Sequence, residues 1–399
     1  MMKYDFTTMP DRTGKDALAV DAIGASVSWA IAPTAPKEGF SKIPMWVADM
    51  DFRVDEHIME AINDYLSTGV IGYYNAPDGY YDSFINWEKE EHGLAVEREW
   101  IRFSPGVVAG FHMALQILTK PGDAVIINTP VYYPFMHAVN SNGRKLITSE
   151  LVNSEGKYTI DFEVFEQKII DNNVAAYILC SPHNPVSRVW TEDEQLRMLE
   201  ICRKHGVSVI SDEIHHDLVF GGSRHIPLLT LADKDDRIIM LTAASKTFNI
   251  AGLQNSFAVI ANDDLRDEWD DFTGGLRLTS GNPLGYIAVR AAYEHGRPWL
   301  DEVRGVVWDN YNYICREFAE ALPEVVMTPL EGTYLAWADF GSYLTPDELQ
   351  PFMQEKCGLA FDYGAWFGGD RSGSFIRINL ATSQENVKEM VRRITEALR

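Results

Sequence analysis

Short uninterrupted apolar runs alternate with helical periodicity through the middle of the chain. W-I-R-F-S (Trp100 to Ser104), A-V-I-I-N (Ala124 to Asn128), K-L-I-T-S (Lys145 to Ser149), A-A-Y-I-L-C (Ala175 to Cys180), V-S-V-I-S (Val207 to Ser211) and I-I-M-L-T (Ile238 to Thr242) all have strand length. Near-continuous apolar strands of this kind are buried on both faces, which is the habit of parallel sheets. Helical segments separate them: one opening at about Gly106, one from about Tyr133, one capped by Asp161, and one started by the capping box T-E-D-E (Thr191 to Glu194) and running to about His205. Earlier, a helical stretch from Ile58 to Leu66 is broken by G-V-I-G-Y-Y-N-A-P (Gly69 to Pro77), a loop carrying Tyr73 and Tyr74, before a helix from about Tyr80 to Glu91. Residues 1–45 show weak periodicity and read as an irregular arm with one helix.

After about Gly285 the pattern changes to long helices, Ile287 to Glu294 and Trp299 to Leu322, then the strands T-Y-L-A-W-A-D and S-F-I-R-I-N-L and a terminal helix. The pattern predicts an α/β protein. A large domain over 46–285 holds a mostly parallel, doubly wound sheet flanked by helices, and residues 1–45 with 286–399 form a smaller α+β domain joined by the long helix. No repeat with a period of 20 to 50 residues is found. At 399 residues the chain exceeds the roughly 250 to 300 at which single cores stop growing, so two domains are expected.

Charge narrows the partners. With 35 Lys and Arg against 58 Asp and Glu, the net charge of -23 repels phosphate backbones and anionic membranes, so neither nucleic acid nor membrane is an expected partner. No run approaches the roughly 18 apolar residues of a membrane span, and M-M-K-Y-D-F has no apolar signal core; a cytoplasmic protein is expected. Cys180, Cys202, Cys315 and Cys357 are scattered without C-x-x-C or His pairing, which fits a reducing compartment and argues against structural zinc. No metal is expected.

The chemistry gathers where strands end. Asp212, in S-D-E-I-H, and Lys246, in S-K-T-F-N-I-A-G-L, follow two of the apolar strands, and parallel sheets collect ligands at the carboxyl ends of their strands. A lysine amine can form a Schiff base with pyridoxal phosphate, and an aspartate can keep its pyridine nitrogen protonated so that the ring accepts electrons. Taken singly, such a Lys is a surface amine and such an Asp a helix cap. Together, the further elements below in chain order give them meaning. S-P-G-V-V-A-G (Ser104 to Gly110) places small residues at a strand-to-helix junction, where backbone N–H groups can hold a phosphate, or simply form a tight turn. Tyr132 can stack on a flat ring or pack in the core. Asn184, in S-P-H-N-P, can donate to the cofactor's phenolic oxygen or close an Asx turn before Pro185. Arg377, inside F-I-R-I-N, needs an anion: a substrate carboxylate or an internal Asp or Glu.

The motifs M-W-V-A-D-M-D-F (Met45 to Phe52), G-Y-Y (Gly72 to Tyr74), S-P-G-V-V, S-D-E-I-H, S-K-T-F-N-I-A-G-L, E-G-T-Y-L-A-W (Glu331 to Trp337) and R-I-N-L-A resemble fold type I pyridoxal-phosphate enzymes. Among the class I and II aminotransferases, the chain is most similar to the MalY/PatB branch of cystathionine beta-lyases, from about residue 40 to the C-terminus. The resemblance implies Lys246 as the cofactor lysine, Asp212 on the pyridine nitrogen, Asn184 near the phenolic oxygen and Tyr132 on the ring. It also implies the backbone at Val107 and Val108 with Ser245 at the phosphate, Arg377 on the substrate carboxylate, and Tyr73 reaching the phosphate of a neighbouring subunit in a homodimer. His215 stands three residues after Asp212, where aminotransferases commonly have tyrosine, and histidine is what the lyase branch is similar to. Ser187 stands where many relatives have glycine in N-P-x-G; positive φ costs more there, so the loop is expected to bend differently. The arm matches poorly, and no role is assigned before Met45.

The implied activity is β-elimination from L-cystathionine or a related sulfur amino acid, giving a thiol (homocysteine), pyruvate and ammonia, with Lys246 moving the α-proton and Tyr132 assisting near the sulfur. Transamination shares the early steps and is the alternative. A regulatory protein acting through contacts is a third reading, against which the intact Lys246 and Asp212 speak.

Overall fold

The computed structural model describes residues 3–25 and 33–399; residues 1–2 and 26–32 of the predicted arm lie outside the described residues. The six apolar runs are all strands. They join a seventh in one sheet of order Ile101–Ser104, Ser256–Val259, Ile238–Thr242, Ser208–Asp212, Val174–Cys180, Ala124–Thr129, Lys145–Glu150. All pairings from Ile238–Thr242 outward to Lys145–Glu150 are parallel, whereas Ser256–Val259 pairs antiparallel on both sides. Ile101–Ser104 therefore runs in the same direction as the parallel strands. Every residue of Ala124–Thr129, Ser208–Asp212 and Ile238–Thr242 is buried, as their continuous apolar sequences require.

Local signals set the flanking helices. Asp161 accepts a hydrogen bond from the Val164 N–H at the start of Phe162–Asn172, and Thr191 and Glu194 form the full reciprocal box ahead of Glu192–His205. Each such cap contributes about 1 kcal/mol to its helix. The two long helices are Pro283–His295 and Arg297–Ala321, broken only at Gly296, where a Cβ would stand 2.4 Å from a ring carbon of Phe248. A larger residue there would push the helix pair off the core around Trp299 and Phe248.

A second sheet is antiparallel throughout, with order Val326–Met327, Leu335–Asp339, Phe375–Asn379, Asp362–Tyr363. The sequence pattern found its two central strands and missed the two-residue edges, which are too short to carry a period. It also missed Ser256–Val259 and a small hairpin, Val152–Ser154 with Lys157–Thr159. Among its described residues the arm holds one short helix, Leu18–Asp21, and it is fastened where Arg12 grips Asp49 and Asp51, both at 2.8 Å. Among the described residues no helix is long and apolar enough to cross a membrane.

Candidate active site

Loops leaving the carboxyl ends of five co-directional strands converge on one cavity of about 280 Å³. Gly106, Val107 and Val108 enter it from the junction after Ile101–Ser104, and Tyr132 from the loop after Ala124–Thr129. Asn184 follows Val174–Cys180. Asp212 and His215 end the neighbouring strand, and Ser245 and Lys246 follow Ile238–Thr242. The antiparallel strand Ser256–Val259 points its carboxyl end the other way and sends no loop into the cavity.

The junction at Gly106 has the build that suits an anion. Gly106 takes φ +97°, closed to most L side chains, and no side chain caps the twelve-residue helix Val107–Leu118 behind it. The N–H groups of Val107, Val108 and Ala109 have no acceptor within the helix and, with its dipole, face the cavity. Close packing holds this helix down: a Cβ on Gly110 would meet Leu241 at 2.9 Å.

Asp212 is buried, and its side chain accepts a hydrogen bond from the Ile214 N–H at 3.2 Å. Burial pushes its carboxyl up to about 7, so it favours a cation placed against it. Burial likewise lowers the Lys246 amine to about 8, against a raising influence from Asp49. Lys246 Nζ donates to the Ala48 carbonyl at 2.5 Å, and Tyr334 donates to the same oxygen at 2.8 Å. His215, edge-on to the Tyr334 ring at 5.8 Å, is held neutral by burial and by Lys246 and Arg377; its Nδ1 has no partner. Tyr132 is kept protonated, its hydroxyl pushed well up by burial.

Arg377 does not line the cavity. It is buried beside it, close enough for its charge to act on Lys246, His215 and Tyr132, and its guanidinium donates to Asp362, to the Trp46 carbonyl at 2.7 Å and to Asn184 Oδ1 at 3.1 Å. The internal acid left open by the sequence is thus Asp362. Burial raises the Asp362 carboxyl to about 6 even beside this cation, and Arg377 Nε still lacks an acceptor. Since Asn184 Oδ1 is taken, its amide N–H groups are the part left to donate. Tyr73 is fully exposed on its loop and is not brought to this cavity within one chain.

Ser187 has φ +58°, a left-handed conformation that glycine takes up more cheaply. The strain of about 1–2 kcal/mol for a non-glycine residue in the left-handed region is offset by hydrogen bonds from its Oγ to the Leu335 carbonyl, 2.6 Å, and from its N–H to His183, 2.8 Å.

Ala48, Tyr334 and Asp49 act on Lys246 and had no role in the sequence reading, although all three lie inside motifs quoted there. Ala48 contributes a backbone oxygen, which no side-chain pattern reveals.

The cavity joins an anion-binding helix terminus, an aromatic ring, a buried acid seeking a cation and an amine of lowered basicity, a donor set that fits pyridoxal phosphate. Residues 42–394 match the family model "Aminotransferase class I and II". The chain belongs to the class I and II aminotransferase family. It is similar to cystathionine beta-lyase PatB of Bacillus subtilis, 41% identical over 361 residues that cover 89% of this chain and 92% of that protein. Protein MalY of Escherichia coli is 31% identical over 99% of both chains. The crystal structure of cystalysin from Treponema denticola, which contains a pyridoxal 5'-phosphate cofactor, superposes with TM-score 0.93 and 36% identity, covering 100% of this chain and 99% of that one.

Proposed function

We propose that this chain is a pyridoxal-phosphate-dependent carbon–sulfur β-lyase acting on L-cystathionine or a related sulfur amino acid. With one water consumed, cystathionine would yield homocysteine, pyruvate and ammonia. The observation that carries the reading is the pairing of buried Asp212 and Lys246 in one cavity, in a chain 41% identical to a cystathionine beta-lyase.

When bound, the cofactor supplies an electron sink for the charge left as the substrate's Cα proton departs. Asp212 would hold the pyridine nitrogen, and the N–H groups of Val107 and Val108 with the Ser245 hydroxyl would hold the phosphate. Asn184 would donate its amide toward the phenolic oxygen, and Tyr132 would pack on the ring. An amine of pKa about 8 is neutral in about one molecule in ten at neutral pH, against about one in three thousand for an unperturbed lysine. Lys246 is thus fitted to take the Cα proton. Tyr132, which stays protonated, is placed to give a proton to the departing sulfur. Arg377 takes the substrate carboxylate with the donor capacity that Asp362 leaves over.

In the same reading, residues 46–285 form the cofactor-binding domain and 1–45 with 286–399 the smaller one. The protein works in the cytoplasm as a homodimer. Val70, Ile71 and Tyr73 are exposed together on one loop, a surface suited to a second copy, and Tyr73 would complete its phosphate site.

The test is purified protein with L-cystathionine and no keto-acid acceptor. Release of pyruvate and free thiol is the expected result; turnover only when an acceptor is added would replace the lyase with an aminotransferase.

A further inference from the structure

A second polar cluster lies behind the cavity and shares no lining residue with it. Glu88 and His92 stand at the two ends of a π-helical turn, Glu88–His92, that prolongs the helix Asp78–Trp87. His216 and Asp217 come from the segment after Ser208–Asp212. All four side chains are buried. One donor atom each from Glu88, His92 and His216 lies within 4.8 Å of the other two.

Two features set this cluster apart from an ordinary buried ion pair. Glu88 is completely buried, yet among the described residues neither carboxylate oxygen accepts a hydrogen bond, and His216 Nε2 has an ion-pair contact alone, 3.1 Å to Asp217 Oδ2. Native proteins rarely leave such groups unanswered. The spacing, moreover, is that of two ligands on one ion: His216 Nε2 is 3.5 Å from Glu88 Oε1. Tetrahedral coordination with bonds of about 2.0–2.2 Å puts neighbouring donors about 3.3–3.6 Å apart.

Outer contacts orient both rings as metal-bound imidazoles are oriented. His216 Nδ1 bonds Thr242 Oγ1 at 2.7 Å, which leaves Nε2 to face Glu88. His92 Nε2 bonds Asp217 Oδ1 at 2.8 Å, and Asp217 is fixed in turn by Trp87 Nε1 at 2.9 Å and Thr247 Oγ1 at 2.6 Å.

We propose that Glu88, His92 and His216 bind one divalent cation of the zinc class, with Asp217 as the outer carboxylate that orients His92. Imidazole donors favour zinc or cobalt over magnesium or calcium. Thr247 adjoins Lys246 and His216 adjoins His215, so the ion would brace from behind the two loops that carry the cofactor residues. Cysteine spacing argued against zinc in the sequence; this site uses no cysteine, and only the fold assembles it.

The experiment uses the cofactor-loaded protein, dialysed against a chelator and then titrated with zinc alone. The expected result is one zinc per chain by elemental analysis and a raised melting temperature, with zinc affinity reduced about tenfold or more in Glu88→Gln. Cobalt added to the unmutated protein should give the visible bands of a four-coordinate ion. The cobalt readout needs no variant and holds even where Glu88→Gln does not fold. A chain that takes up no zinc and gives no cobalt bands is a proton-sharing ion cluster only, and overturns the proposal, as does equal zinc affinity in a folded Glu88→Gln.

Discussion

Replacing Asp212 by Asn separates what the acid does for the fold from what it does for the cofactor. Burial raises the folded carboxyl from 3.8 to about 7. Each pKa step corresponds to about 1.4 kcal/mol, so holding the bare carboxylate costs about 4 kcal/mol above pH 7. The folded acid binds a proton more tightly than the unfolded one, so the cofactor-free protein is most stable below the unfolded value and loses stability as pH rises toward 7. Between about pH 5 and about pH 8, Asp212 should remove about 3 kcal/mol. Lys246 does not blur that window below pH 7. Its folded value is depressed to about 8, so its contribution changes between that value and the unfolded 10.5, with stability gained as pH rises. Asparagine is nearly isosteric and keeps an acceptor for the Ile214 N–H. Urea midpoints of the cofactor-free protein at the two pH values provide the assay. Asp212→Asn should be the more stable form at about pH 8 and should show a loss of stability smaller by about 3 kcal/mol across this window, the rest of the slope coming from Glu88 and Asp362, whose carboxyls burial also raises, while retaining pyridoxal phosphate less well. Parallel pH profiles for the two proteins would refute the claim that this cavity holds its acid at a cost that a cation offsets.

Lys246 should attach the cofactor through its neutral amine, so the rate of appearance of the visible band should rise with pH about a midpoint near 8, followed by stopped-flow absorbance; a midpoint near 10.5 would mean that burial has not lowered it. Lys246→Ala should lose that covalent band altogether. Arg377→Ala should raise KM for the amino acid by about ten- to a hundredfold with a smaller change in kcat, and steady-state kinetics with an unchanged KM would remove Arg377 from the carboxylate role. Ser187→Ala should cost about 1–2 kcal/mol in urea unfolding, because it keeps the strained φ and loses the bond to Leu335, whereas Ser187→Gly should be nearly neutral; equal losses would show that the backbone at this position carries no strain for glycine to relieve.

How much of this was legible depended on whether a feature leaves a mark along the chain. Strands buried on both faces, such as Ile238–Thr242, show as unbroken apolar runs, and the rule that parallel sheets bind at their carboxyl ends then put Asp212 and Lys246 on one crevice before any contact was known. Ser256–Val259 escaped because four residues without glycine or proline boundaries carry no period, and its antiparallel direction is a matter of how the chain returns after Lys246. Arg377 announced that it needed an anion, yet its partner Asp362 sits on a two-residue strand whose pairing with Phe375–Asn379 exists only in the folded sheet.

Backbone chemistry is harder still to read. The Ala48 carbonyl receives both Lys246 and Tyr334, and any residue could supply that oxygen, so its identity says nothing of its role. The same holds for the N–H groups of Val107 and Val108, which only the positive φ of Gly106 and the uncapped helix behind it turn toward an anion. Glu88 and His216 mark the far limit. Each reads alone as a surface-type residue, and their meeting depends on a π turn that shifts one helix end, a displacement that no hydrophobic period encodes.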